Sequence, residues 1–463
     1  MLRELADAVR TRRVSARELV ERCLSRIERL DPGLNAVVAL RGPQALAEAA
    51  ALDERTARGE DLGPLGGVPF LVKDIEDLTG LPTTYGSLLF RDAPPAIRDG
   101  LIPSRLRSAG AVPIGKTNTP EFAAEGFTSN LLFGTTRDPW GPEWSPGGSS
   151  GGSGAAIAAG LAPIATATDT GGSIRIPAAF CGLAGIKPTN GVIGRDLRLW
   201  WQDLTTCGPL APGIDDLRLL LLVEAGPVAG DPTALPAWRP EPVAMPARVL
   251  AAPRFTPWGP LPQPVARLFE EALARVERDL GLPVEPIDPE EIFRAGNPDV
   301  DWFALAGPEL VEWFGRETIE RSLGSLHPST RAFASEGLRS TLDEYLAARR
   351  RRFDYVRELD ELLGRDVVIA SPTLASEGWT AEGPMPGSTA PGPPPEVYNC
   401  AVQNITGHPA VTVPAGRFAN GLPFGLQFTG PRFRDDLLLE LAAAWERANP
   451  WPEVAPGYEG FSV

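Results

Sequence analysis

At 463 residues, 43% of them apolar and 22% charged, the chain has room for one to three packed domains and falls outside the disordered and fibrous classes. Lysine and arginine number 44 against 59 acidic residues, a formal charge of −15 that repels phosphate backbones and argues against nucleic acid as a partner. Glycine and proline, 49 of each, ask for many tight turns, and no apolar run approaches the ~18 residues of a spanning helix, so no membrane partner is expected.

The N-terminal stretch MLRELADAVRTRRVSAREL alternates charged and apolar residues and lacks the apolar segment of a secretory signal, so a cytoplasmic location is expected. The first clear helix starts at Ser15. Ser15 and Glu18 form a capping box, and Val20, Cys23, Leu24, Ile27 and Leu30 keep the 3.6-residue period until Asp31-Pro32-Gly33 ends it. Residues 45–58, rich in alanine, acid and arginine, read as a second helix closed by Gly59. After Gly-Pro-Leu-Gly-Gly at 63–67, the apolar run 68–72 reads as a buried strand carrying Lys73 and Asp74. A helix over 105–109 and a strand over 112–114 follow. A glycine-serine loop over 145–154 then feeds a small-residue helix over 155–160 and a strand over 164–168. A second glycine-serine turn, DTGGSIR, occupies 169–175.

Proline and alanine dominate 225–262, which reads as a meandering surface connection. Leucine spacing and charge predict helices over 264–280, 308–319 and 340–363, whereas GPMPGSTAPGPPP at 383–395 must be a loop at that proline density. Residues 411–413 and 426–429 read as a hairpin around Asn420-Gly421, and 435–448 as a final helix. No internal repeat is visible. The alternation of helices with short apolar strands predicts an α/β fold, a large mixed β-sheet covered by helices on both faces.

The chemistry is constrained by scarcity. His327 and His408 are the two histidines, so multi-imidazole metal sites are excluded by count and a Ser-His-Asp triad has little to draw on. Cys23, Cys181, Cys207 and Cys400 lie far apart with no CxxC pair and read as reduced, buried thiols. In DTGGSIR, Gly171 and Gly172 let the backbone turn so that successive N–H groups converge beside the Ser173 hydroxyl, a geometry suited to an oxyanion; Ser173 is the candidate nucleophile. Its base is then sought in a lysine kept neutral by apolar surroundings. Val68, Phe70, Leu71 and Val72 offer these to Lys73, while strand alternation turns Asp74 to the opposite face. The loop at 147–154 lacks both the P-loop ending and the dinucleotide spacing, so phosphate binding is a weak reading.

GVPFLVKD at 67–74, GGSSGGSG at 147–154 and TDTGGSIRIPA at 168–178 occur in this order, with GKTNTPEF, FGTTRDPW and GIKPTNG between and after them. Together they resemble the amidase signature family over 15–225, and the match returns at 399–447 with NITGHPAVTVPAG and GLPFGLQFTGP. The resemblance implies a Ser-Ser-Lys triad in which Ser173 is the nucleophile, Ser149 the bridging serine beside a cis peptide bond and Lys73 the base. It also implies an oxyanion hole from the N–H groups of Thr170, Gly171, Gly172 and Ser173. Ser150 and Ser153 are expected to give hydrogen-bonding support, Asp169 and Arg175 to hold the loop, and Lys116 and Lys187 to be structural.

A single domain over 1–463 is expected, comprising an N-terminal helical region (1–60), a catalytic core (61–225), a variable, largely helical substrate region (226–395) and a C-terminal return to the core (396–463). The implied reaction is hydrolysis of a small-molecule amide through an acyl-enzyme, with no cofactor and no metal. Adjacent Trp200 and Trp201 are the substrate-pocket candidates, ahead of Trp302 and Trp313. The alternative is a glutamine-dependent amidotransferase component acting with a tRNA-binding partner. Members of that kind carry an SRYGLVAF-type segment after KPT, which residues 191–204 do not reproduce. Oligomeric state is not readable here, and a homodimer stays open.

Overall fold

The computed structural model describes residues 1–195, 200, 201, 203–236, 238, 243–381 and 398–461. Its architecture is the expected α/β, with mixed sheets and many helices. The described strands do not join into one sheet, however. They form a four-stranded and a seven-stranded sheet, with two small two-stranded ladders besides.

The four-stranded sheet runs Val37–Leu40, Val112–Thr117, Pro69–Lys73, Ile164–Ala165. Pro69–Lys73 pairs in parallel with both neighbours, and all five of its residues are buried, as an apolar strand between two others must be. The seven-stranded sheet runs Leu210–Ala211, Ala184–Lys187, Ala410–Arg417, Pro423–Thr429, Val367–Pro372, Arg248–Ala251, Val284–Pro286. The hairpin around Asn420-Gly421 lies near its middle, with Val411 opposite Phe428. Arg248–Ala251 corrects the reading of 225–262 as surface connection: it is an interior strand, parallel to both neighbours. Four residues after a proline-rich stretch are too few to show a period.

At the N-terminus, Leu2–Arg10 is a further helix, burying Leu2, Leu5, Ala8 and Val9. Ala16–Leu30 carries the capping box as expected, Glu18 N donating to Ser15 Oγ at 3.0 Å and Ser15 N to Glu18 Oε2 at 2.7 Å. The small-residue helix is Gly151–Ala158, so it begins inside the glycine-serine loop rather than after it. Helix 308–319 is corrected to two, Pro298–Phe314 with Pro308 inside it and Arg316–Ser322, separated by Gly315 at φ +84°. Asn297 caps the first through Asp299 N at 2.9 Å. Helices Arg175–Cys181 and Pro328–Arg339 add to those expected. The loop at 383–395 lies outside the described residues.

Two main apolar cores result, with a small third cluster around Phe180 and Trp379. The larger joins the N-terminal helices, both main sheets and the final helix Asp435–Ala448, and the smaller packs Pro298–Phe314 and Leu342–Leu363 against Trp200, Trp201 and Phe255. Among the described residues no helix is long and apolar enough to cross a membrane.

Candidate active site

Lys73 ends its strand with a fully buried side chain. Its Nζ donates to Ser149 Oγ at 2.7 Å, Ser150 Oγ at 2.9 Å and Thr168 Oγ1 at 2.9 Å, which uses all three ammonium donors on neutral hydroxyls. Burial pulls its pKa down to about 7, against the opposing pull of the Glu76 and Asp169 carboxylates. Asp74 turns away as expected: it takes Lys116 Nζ at 2.9 Å and the Thr84 hydroxyl. Lys116 is thereby structural. Lys187 donates to Pro188 O at 2.9 Å and Asn190 Oδ1 at 3.2 Å, and burial lowers it to about 7.

Ser149 and Ser150 immediately precede helix Gly151–Ala158, and the Gly148–Ser149 peptide bond is cis. A Cβ on Gly148 would stand 2.8 Å from Glu125 O and from Phe127 N and O, so only glycine fits there. Ser150 gives hydrogen-bonding support to Lys73 directly. Ser153 points elsewhere, to Thr117 Oγ1 and Thr166 O, each at 2.8 Å.

Ser173 stands just before helix Arg175–Cys181. Among the described residues its hydroxyl has no hydrogen-bond partner, and at 9% exposure against 1% for Ser149 it is the hydroxyl nearer solvent. Gly172 adopts φ +123° with no room for a Cβ, which would meet Cys400 Cβ at 2.6 Å. Gly172 N already donates to Asp169 Oδ1 at 2.7 Å, whereas the N–H groups of Thr170, Gly171 and Ser173 have no partner among the described residues.

The loop is clamped from far along the chain. Arg175 grips Asp169 through Nε at 2.9 Å and Nη2 at 3.0 Å, with both side chains fully buried. Its remaining donors reach Gln403 Oε1 and Gln427 Oε1 at 2.7 Å, Cys400 O at 2.7 Å and Asn404 Oδ1 at 2.8 Å. Asn404 Nδ2 returns to Asp169 O and Oδ1, both at 2.9 Å. Burial pushes the Asp169 carboxyl up, but Arg175 overcomes this and holds it at about 2. The sequence assigns Gln403, Asn404 and Gln427 no role, although Asn404 and Gln427 stand within NITGHPAVTVPAG and GLPFGLQFTGP.

Trp200 and Trp201 are both buried in the smaller core. The Trp201 indole donates to Ala306 O at 2.7 Å, and Trp200 packs edge-on against Tyr85 at 5.3 Å. Among the described residues, the tryptophan that touches the glycine-serine turn at 169–175 is Trp302, ranked lower from sequence. Its indole N–H donates to Thr170 O at 2.7 Å, and its Cζ2 lies 3.0 Å from where a Gly171 Cβ would be. Trp201 packs behind it at 6.5 Å. His408 is buried beside Asp360, 3.1 Å away, and His327 bonds Ser329; neither takes part in the Lys73 network.

The family profile described as Amidase matches residues 18–439. An acylamidase of Rhodococcus erythropolis is 33% identical, covering 98% of this chain and 96% of its own length. The chain belongs to the amidase signature family. It is an amidohydrolase. A glutamyl-tRNA(Gln) amidotransferase subunit of Cyanothece sp. is 32% identical over 98% of this chain and 99% of its own. Among solved structures, a bacterial aryl acylamidase of the amidase signature family superposes with TM-score 0.87 at 28% identity, covering 97% of this chain and 96% of its own. The 6-aminohexanoate cyclic dimer hydrolase bound to substrate gives 0.85 at 26%, covering 98% of each. The glycine-serine loops and the buried lysine of this amidohydrolase fall inside the matched span.

Proposed function

We propose that the enzyme hydrolyses linear carboxylic amides through Lys73, Ser149 and Ser173. The observation that carries this reading is the 2.7 Å hydrogen bond between the buried Lys73 Nζ and Ser149 Oγ, in a lysine that burial brings down to about 7, so that it can give up its proton in the neutral range. Neutral Lys73 takes a proton from Ser149, and Ser149 takes one from Ser173 as its oxygen attacks the amide carbonyl. The N–H groups of Thr170, Gly171 and Ser173 receive the developing oxyanion. The relay then runs in reverse to protonate the leaving amine, and water cleaves the acyl-enzyme by the same route, releasing a carboxylate.

The substrate class we infer is an amide with an aromatic or bulky apolar substituent. Trp302 against Gly171, backed by Trp201 and Phe333, supplies an aromatic wall beside the nucleophile loop, with Trp200 shaping its far side. Similarity to an acylamidase and to an aryl acylamidase supports the same class. Four buried free thiols suit a cytoplasmic setting.

The test is release of p-nitroaniline from an N-acyl-p-nitroanilide by the purified chain. Turnover by the wild type, lost in Ser173→Ala with its melting temperature retained, supports the reading. Similarity to the Cyanothece amidotransferase protein favours a second reading, in which the chain liberates ammonia from glutamine for a tRNA-acting partner. Anilide hydrolysis without glutamine or partner argues against it, and ammonia release that appears only with a partner protein argues for it.

A further inference from the structure

Behind Lys73 lies a carboxylate that the triad does not use. Glu76 is buried one turn beyond the strand end. Its N–H donates to Lys73 O at 3.0 Å, and its carboxylate receives the Thr166 hydroxyl. The Thr166 oxygen in turn accepts the Lys73 N–H at 2.9 Å. Glu76 and Thr166 therefore close a ring around both faces of the Lys73 peptide, fixing where the side chain leaves the strand.

The charge of the same carboxylate opposes the effect of burial on the Lys73 amine. The other groups acting on that amine are the Asp169 carboxylate, held ionised by Arg175, and the Cys207 thiol, which burial pushes up and keeps neutral. Around Glu76 stand Lys73, Lys116, which is bound to Asp74, Asp77, the Cys207 thiol and Glu224, a carboxyl that burial pushes well up. Burial raises Glu76 to about 7, the range in which Lys73 itself titrates.

We propose that Glu76 is a positioning residue for the reaction, which with Thr166 holds Lys73 in register and places a buried carboxylate behind the base. This rests on the reading of Lys73 as the base. An ionised Glu76 stabilises the Lys73 ammonium, so removing the charge makes the proton leave at lower pH.

The experiment is kcat/KM against pH on one chromogenic anilide for wild type, Glu76→Gln, Thr166→Val and Lys73→Ala. Glu76→Gln is expected to move the ascending limb about one pH unit to the acid side. Thr166→Val removes the hydrogen bond that favours ionised Glu76, so its limb moves the same way by less. A merely structural Glu76 lowers rates or melting temperature and leaves the limb where it was; unmoved limbs in both variants overturn the proposal. Where Glu76→Gln fails to fold, Thr166→Val decides alone. Lys73→Ala separates the two failures, since a Lys73→Ala enzyme that keeps the limb overturns the base assignment itself.

Discussion

The nucleophile loop and the aromatic wall beside it are both buried, yet they are held by opposite means. Asp169, Arg175, Asn404, Gln403 and Gln427 hold the loop through short, directional and largely charged hydrogen bonds. The wall is held by ring contacts among Trp200, Trp201, Trp302 and Phe333, with indole N–H bonds to Thr170 O and Ala306 O. Directional bonds place donors within tenths of an ångström, which a developing oxyanion requires. Apolar packing tolerates changes of shape, which suits a surface that selects substrates. On the proposed mechanism, one fold would thus keep its chemistry rigid and its specificity adjustable.

The largest effects are expected where the loop meets its base. Lys73→Ala and Ser173→Ala should each lower kcat/KM by about four orders of magnitude, as when members of a catalytic unit are removed singly. Below about pH 7 the buried ammonium keeps its proton and cannot accept one from Ser149. kcat/KM should therefore rise with pH through about 7 and hold above it. His408→Ala should leave that profile's shape unchanged, since His408 faces Asp360 instead. A pH series on the three variants checks all of this.

Next comes the clamp. Arg175→Met leaves the Asp169 carboxylate buried without its partner, and a loss of about 3–5 kcal/mol in unfolding free energy by denaturant titration is expected. Loss well under this range would mean that the loop is held by packing after all, and the contrast between the two regions would collapse. Because Asp169 ionises at about 2 in the fold, the clamp's contribution should be fully present above pH 4 or so and fade only as pH falls through that lower value.

A smaller effect sharpens the comparison from the other side. Trp302→Phe keeps a ring over Gly171 but leaves Thr170 O without its indole donor, a loss of about 2 kcal/mol in stability. It should change the ratio of kcat/KM between aryl and short aliphatic amides more than kcat itself. The smallest expected change lies outside both regions: Ser15→Ala removes a helix cap for about 1 kcal/mol and should leave turnover unaltered.

What could be read directly was local. The capping box of Ala16–Leu30 and the hairpin around Asn420-Gly421 depend on residues a few positions apart, and both appear as expected. Strand Arg248–Ala251 and helix Arg175–Cys181 did not announce themselves, being four and seven residues long and ordered by what packs against them. Lys73 and Ser173 stood out because a lysine in an apolar run and paired glycines before a serine carry their chemistry within a few residues. Glu76 did not, since its tie to Lys73 runs through Thr166, 90 residues on.

The amino-acid sequence by itself determined the family and the α/β class, and its two histidines directed the search for a base to lysine, because glycine turns, burial of an apolar strand and the count of imidazoles are properties of short segments and of composition. Only the tertiary structure decided that Asp169 occupies the Gly172 amide, that Trp302 rather than Trp200 or Trp201 touches the loop, and that Arg175 is satisfied by residues 228 and 252 positions away. Hydrogen bonds and ring contacts form between surfaces that folding brings together, and no local pattern of side chains encodes which distant partner arrives.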